Sequence, residues 1–177
     1  RRGVHVQVLV DGFGSNSLPG HYWAALEKAG GVARIFNPLS WRHFGIRNHR
    51  KLLLIDDCVA IVGGFNIATE YDGDGVTRGW RDFGLELHHP LAVRQLAESF
   101  DGLFRDHQLR RWLLRPFRKR TLNWPRFFRQ PGPVLFSGPR FVRRQFRFHL
   151  LSALRDAKNV RIVSAYFLPS FRLRRAL

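Results

Sequence analysis

The chain has 177 residues, room for one ordinary domain and too little for two full ones. Its 45% apolar and 14% aromatic content is ample for a packed core and argues against a disordered basic tail, and no apolar run approaches the roughly 18 residues that span a bilayer. A formal charge of +17, from 30 Lys and Arg against 13 Asp and Glu, calls for an abundant polyanion, with phosphate the first suspect.

In chain order, the alternating, β-branched run Val4 to Val10 predicts a strand that ends in the turn-rich Asp11-Gly12-Phe13-Gly14. Leu18 to Ala29 has helical spacing and stops at Gly30-Gly31, where a terminating glycine is expected. Val32 to Phe36 is a second predicted strand. Lys51 to Ile55 and Val59 to Val62 are short apolar runs joined by Asp56-Asp57, predicted as adjacent central strands buried on both faces. The single Cys58 sits in this buried-looking run and excludes an internal disulfide framework or a cysteine-based zinc site. Phe83 to Leu87 predicts a strand and Pro90 to Phe104 an amphipathic helix. After an irregular stretch, Val134 to Phe136 predicts a strand, Arg143 to Ala157 a helix and Val160 to Tyr166 a strand. Strands alternating with helices predict an α/β sandwich with a mixed central sheet.

The chain opens at Arg1, contains no Met and ends in Arg172 to Leu177, which reads as a helix stopped in its first turns. It is therefore expected to be a piece truncated at both ends. Three regions are expected: a first half-domain at 1–104, a basic aromatic linker at 105–131, and the start of a second half-domain at 132–177.

The charge is unevenly spread. Residues 1–104 hold 11 basic and 11 acidic side chains, whereas 105–177 hold 19 and 2. A coding bias toward arginine would not leave the first part neutral, so the asymmetry points to a localised anion-binding region. In 105–130, Trp112, Phe117, Trp124, Phe127 and Phe128 are interleaved with arginines, a pattern suited to the headgroup boundary of an anionic bilayer. Each basic residue there would contribute about 1 kcal/mol.

The chemistry concentrates between Arg47 and Tyr71. His49 and Lys51 precede Asp56 in the spacing His-x-Lys-x4-Asp, and Gly63-Gly64-Phe65-Asn66 follows. Positions i and i+2 of an extended segment share a face, so His49 and Lys51 are expected to project toward one site. An imidazole can attack phosphorus while a neighbouring ammonium neutralises the phosphoryl oxygens. The two glycines would let backbone approach a ligand, and Asn66 could donate its amide hydrogens to phosphate. No metal or other cofactor is needed. His88-His89 does not read as a metal site, because neighbours on a strand face opposite ways and no Cys or Glu cluster completes it.

The stretch RNHRKLLLIDDCVAIVGGFNIATEY resembles the half-site motif of the phospholipase D superfamily. The flanking segments Gly3 to Ser15, Trp80-Arg81-Asp82 and Ala165 to Pro169 look like bacterial cardiolipin synthases, in particular the B-type branch that lacks transmembrane helices. The resemblance implies a phosphatidyltransferase. His49 would attack a phosphodiester, a phosphatidyl-histidine would form, and an alcohol or phospholipid acceptor would displace the histidine. Lys51, Asn66, Gly63 and Gly64 would bind the substrate phosphate. Asp82 matches the carboxylate that orients the nucleophilic imidazole, and Asp56 would be the motif's acid, serving loop architecture and charge balance. The implied setting is peripheral, on the cytoplasmic face of a bacterial inner membrane, with an anionic phospholipid as substrate.

The superfamily uses two such motifs, the second histidine being the general acid, and no second His-x-Lys-x4-Asp occurs here. His149 lies on a predicted amphipathic helix without Lys at 151 and reads as a structural residue. The chain alone is therefore expected to be inactive, its missing partner being the second half-domain. One alternative is a nuclease or phosphodiesterase of the same superfamily, working as a dimer on nucleic acid, which the basic half also suits. Another is a phosphate-binding module without catalysis, although every motif position in the first half is intact.

Overall fold

The computed structural model describes residues 3–38, 47–105, 132–136, 140–164 and 166–177. The chain divides into two compact units, residues 1–127 and 128–177. The expected linker at 105–131 lies outside the described residues apart from Arg105, as do His43 and His107.

The first unit opens with β1 (Gln7–Asp11), followed by the five-residue helix α1 (Ala24–Lys28) and β2 (Val32–Phe36). β1 and β2 pair in parallel, from Gln7 against Val32 to Asp11 against Phe36. The helix expected over 18–29 is reduced to its last part. Pro19 and Gly20 interrupt its beginning, and the backbone there turns through three-residue steps, Leu18 to Ser15, Tyr22 to Pro19 and Ala24 to His21.

A second sheet follows. β3 (Lys51–Ile55) and β4 (Val59–Gly63) form an antiparallel hairpin, and β5 (Gly84–Leu87) adds to the other side of β4. The hairpin turn places Asp56 and Asp57 at φ 50° and 52°, and Cys58 N–H closes it onto the Ile55 carbonyl at 3.0 Å. Aspartate tolerates this left-handed geometry better than most residues, which is why the acidic pair sits there. Parallel and antiparallel pairings both occur among the described residues, distributed over two small sheets.

The amphipathic helix α2 (Pro90–Arg105) supplies the core of this unit. It buries Ala92, Val93, Leu96, Ser99 and Phe104, the one-face spacing of a helix, and packs against β2 and β4. Phe36 and Ala60 complete the buried set from those strands. Arg34 fastens β2 to the end of the helix: its Nη1 donates to the Phe104 carbonyl at 2.6 Å and its guanidinium lies 4.3 Å from the Phe104 ring centroid. A cation there meets the negative end of the helix dipole.

The expectation that β3 and β4 are buried on both faces is corrected. Ala60, on the α2 side, is fully buried, but Leu53 and Ile55 on the opposite face are 54% and 43% exposed. A continuous apolar run does not by itself say that both faces are covered. Cys58, in the turn, is exposed rather than buried.

In the second unit, α3 (Arg140–Arg155) forms over the expected helix, and a short α4 (Phe171–Arg174) is capped by Ser170, whose Oγ accepts from Leu173 N–H. The expected strands at Val134 to Phe136 and Val160 to Tyr166 are not strands among the described residues. A strand exists only where a neighbouring strand completes its ladder, which alternation along one segment does not supply. His149 is exposed on α3, its ring edge-on to Phe148. No described helix is long and apolar enough to cross a membrane.

Candidate active site

The site forms where the chain enters β3. Residues 47–50 have no regular structure, and Lys51 is the first residue of the strand. Asn48 N–H donates to Asp11 Oδ2 at the end of β1, at 2.7 Å, and Asn48 Oδ1 accepts from Arg50 N–H at 3.4 Å. The alternation of an extended chain sends Arg50 the other way, its Nη1 3.5 Å from Ser99 Oγ on α2. Burial pushes the Arg50 guanidinium below the ordinary arginine range.

His49 and Lys51 share a side, as their spacing predicts. Lys51 Nζ lies 3.0 Å from Nδ1 and 2.9 Å from Nε2 of His49, and donates to the His49 carbonyl at 3.0 Å. Partial burial moves the Lys51 ammonium below the ordinary lysine range, while the charge of Asp82 acts the other way and holds the proton on.

Asp82 arrives from the far side. After the 3-10 turn Thr69–Tyr71, a loop returns the chain to β5 and is organised by Asp74. Asp74 Oδ1 accepts from the backbone of Val76, Thr77 and Arg78, and Oδ2 from the Thr77 hydroxyl. These bonds, Val76 N–H foremost, hold the Asp74 carboxyl far below the usual carboxylate range. At the loop exit, Asp82 Oδ1 accepts from Phe83 N–H at 2.7 Å, and both carboxylate oxygens lie 2.6 Å from where a β-carbon on Gly64 would stand. The carboxylate thus packs on Gly64 within reach of the Lys51 charge. Among the recorded hydrogen bonds of the described residues none joins it to His49, and its recorded influence on the site is the electrostatic one on Lys51.

The glycines are approached closely by other groups of the chain. A β-carbon on Gly63 would stand 2.6 Å from the Phe65 ring and 2.9 Å from the Phe83 carbonyl, and one on Gly84 would stand 2.5 Å from the same ring. Gly63 and Gly84 face each other across β4 and β5, so the Phe65 ring fills the space their missing side chains leave. Close approach is needed here, but by an aromatic ring and a carboxylate of the protein itself.

Asn66 is exposed just beyond this turn, and none of the hydrogen bonds among the described residues engages its side chain. Asp56 is placed apart from His49: it begins the hairpin turn at the opposite end of β3, five residues and about 16 Å of strand from Lys51. His88 bonds Glu86 Oε1 at 2.7 Å, and His89 Nδ1 accepts from Ala92 N–H at the start of α2. Among the described residues no group of three or more His, Cys, Asp or Glu gathers as a metal site.

The arrangement offers an exposed imidazole, an adjacent ammonium, a carboxylate whose charge acts on the ammonium, and a half-buried guanidinium behind the strand. Asp11, Arg50 and Phe65 were not singled out by sequence reasoning. Arg50 carried a signal, since alternation at 49, 50 and 51 must turn it inward. Asp11 and Phe65 carried none beyond turn chemistry and general apolarity.

A family described as "Cardiolipin synthase, PLD-like domain" matches residues 1–104, which contain His49, Lys51, Gly63, Gly64 and Asp82. Over the whole chain, the sequence is 30% identical to cardiolipin synthase B of Salmonella typhi and 31% identical to cardiolipin synthase B of Escherichia coli K12, covering 44% of each relative. It is 32% identical to the major cardiolipin synthase ClsA of Bacillus subtilis strain 168, again over the whole chain and 38% of that protein. The chain thus spans less than half the length of these curated relatives. No solved structure matches the chain.

Proposed function

The chain belongs to the PLD-like domain family of cardiolipin synthases, and from that premise we propose that it carries one half of the active site of a phosphatidyltransferase working through a phosphohistidine. A His49 ring nitrogen attacks the phosphorus of an anionic phospholipid such as phosphatidylglycerol. A P–N bond forms, the P–O bond to the leaving alcohol breaks, and that oxygen takes a proton from a general acid. An acceptor alcohol, itself a phospholipid in cardiolipin formation, then attacks phosphorus. Its proton returns to the same group, and the P–N bond breaks. Lys51 neutralises the phosphoryl oxygens as negative charge develops on them. Asn66, exposed at the rim, adds amide donors to the phosphate.

The observation that carries this reading is the Lys51 ammonium lying against the His49 ring. Asp82 fits as the charge that keeps Lys51 protonated and, through it, the imidazole in place. The general acid is a second histidine supplied from outside these 177 residues, which contain one His-x-Lys-x4-Asp and no other. The chain by itself is accordingly inactive. In the whole enzyme the two small sheets belong to one mixed sheet of an α/β sandwich, with half-domains at 1–104 and from 132 onward. The basic aromatic segment 105–130 holds the protein peripherally on the anionic cytoplasmic face of a bacterial membrane.

The test uses the full-length natural protein with labelled phosphatidylglycerol. Wild type forms cardiolipin and a trapped phosphatidyl adduct by intact mass, and His49→Ala forms neither. Undiminished cardiolipin formation by His49→Ala overturns the reading, as does cleavage of oligonucleotides without any lipid transfer.

A further inference from the structure

The parallel sheet ends at Asp11 and the antiparallel sheet begins at Lys51. Between them stand the residues that present His49. Asp11 Oδ1 accepts from Phe13 N–H at 2.9 Å, an ordinary local turn after a strand. Local turn chemistry does not account for its other oxygen. Oδ2 accepts from Asn48 N–H at 2.7 Å, across 37 residues of sequence and on the peptide immediately before His49. The same two segments meet a second time, where the Arg47 guanidinium lies 5.0 Å from the Phe13 ring centroid. Asp11 therefore grips the loop that carries Phe13 with one oxygen and the approach to His49 with the other, while Phe13 supports Arg47.

We propose that Asp11 is a positioning residue: its carboxylate clamps the Asn48 peptide so that the His49 imidazole is held against the Lys51 ammonium. Residues 47–50 belong to no ladder, so nothing in the sheet itself fixes the backbone torsions that aim the ring. A charged acceptor at 2.7 Å is a strong restraint on a free peptide N–H. The bonds downstream repeat the pattern, since Asn48 Oδ1 accepts from Arg50 N–H on the far side of His49. His49 thus lies between two side-chain-to-backbone bonds, the first of which starts at Asp11. Asparagine at position 11 would keep one acceptor oxygen for two donors, so it should loosen one of the two grips without emptying the site.

The inference rests on the phosphatidyl-transfer reading for its consequence, but its geometry can be measured without turnover. In the full-length protein, Asp11→Asn is expected to weaken the cross-relaxation between the His49 ring protons and the Lys51 ε-methylene by at least half. It should speed exchange of the Asn48 amide about tenfold while the β1 and β2 amides keep their protection. In the full-length enzyme, transfer is expected to fall between about 10-fold and 100-fold in kcat with KM for the lipid little changed, as misplacement of a reacting group does. Asp11→Ala, which removes both grips, should exceed Asp11→Asn on each measure, and the milder variant serves if the alanine variant does not fold. Unchanged cross-relaxation and Asn48 exchange in Asp11→Asn overturn the clamp whatever the activity. Loosened residues 48–50 with kcat undiminished overturn its role in positioning. If wild type transfers no phosphatidyl group yet the clamp measurements respond as expected, the clamp stands and the transfer reading falls.

Discussion

The ammonium of Lys51 sits as close to one ring nitrogen of His49 as to the other, at 2.9 and 3.0 Å. The in-plane lone-pair directions of an imidazole diverge, so one ammonium cannot lie along both. It supports the ring as a whole and leaves an in-plane direction open for attack. The same cation is also placed to meet the oxygens of whatever phosphorus the ring approaches.

Replacing Lys51 by Met should therefore lower kcat for phosphatidyl transfer about 10²-fold to 10³-fold, the usual loss of one preorganised charge at a transition state. Steady-state kinetics of the full-length variant against phosphatidylglycerol measures it. A loss confined to KM would assign Lys51 to ground-state binding alone.

The alkaline limb of the pH profile should report Lys51. Burial lowers its proton affinity and Asp82 partly restores it, so activity should fall at a pH below the ordinary lysine value of about 10.4. Asp82→Asn removes the restoring charge and should move the limb to lower pH. Lys51→Arg should move it upward, out of the accessible range. A limb that ignores Asp82→Asn would detach that carboxylate from Lys51.

Gly64→Ala puts a methyl group into the space of the Asp82 carboxylate, 2.6 Å from both oxygens. The carboxylate is the exposed far end of a short side chain and can swing aside, so stability should change by no more than about 0.5 kcal/mol. Displacing it should also abolish the response of the alkaline limb to Asp82→Asn. Thermal melts and a double-mutant comparison of the two positions test both halves.

The loop that delivers Asp82 should loosen in acid. The Asp74 carboxyl is depressed in the folded chain, so its contribution is fully present above the unfolded value of about 3.9 and is lost as pH falls below it. Amide exchange at Val76, Thr77 and Arg78, corrected for intrinsic rate, should rise between pH 5 and pH 3, each about a unit from that value. In Asp74→Asn it should be raised at both. Equal protection of the three amides in wild type at the two pH values would remove Asp74 as the organiser.

Several of these relationships are readable in the sequence. β2 and β3 occur where apolar runs and turn residues predict them, and the His49 to Lys51 spacing brings the two side chains together because extended chain repeats every two residues. What escaped is non-local. Asp82 meets Gly64 through a loop whose path depends on Asp74, and Asp11 meets Asn48 across 37 residues. The glycines were legible as sites of close approach, but nothing in their spacing says that the Phe65 ring and the Asp82 carboxylate come close to them. The segments after residue 132 that alternation marks as strands are not strands among the described residues, because alternation shows that a segment can pair and not that it enters a ladder.

The left-handed turn at Asp56 and Asp57 has a reach beyond its own corner. It fixes which residue of β4 stands opposite which residue of β3, with Lys51 facing Gly63. One inserted or deleted residue there would slide the ladder by a single step and send the rest of the hairpin to the wrong side of the sheet. Lys51 would then stand opposite Val62 or Gly64 in place of Gly63. An engineer may recolour the surface of this hairpin freely, but its length at the tip is a fixed gauge for the placement of Lys51 at its base.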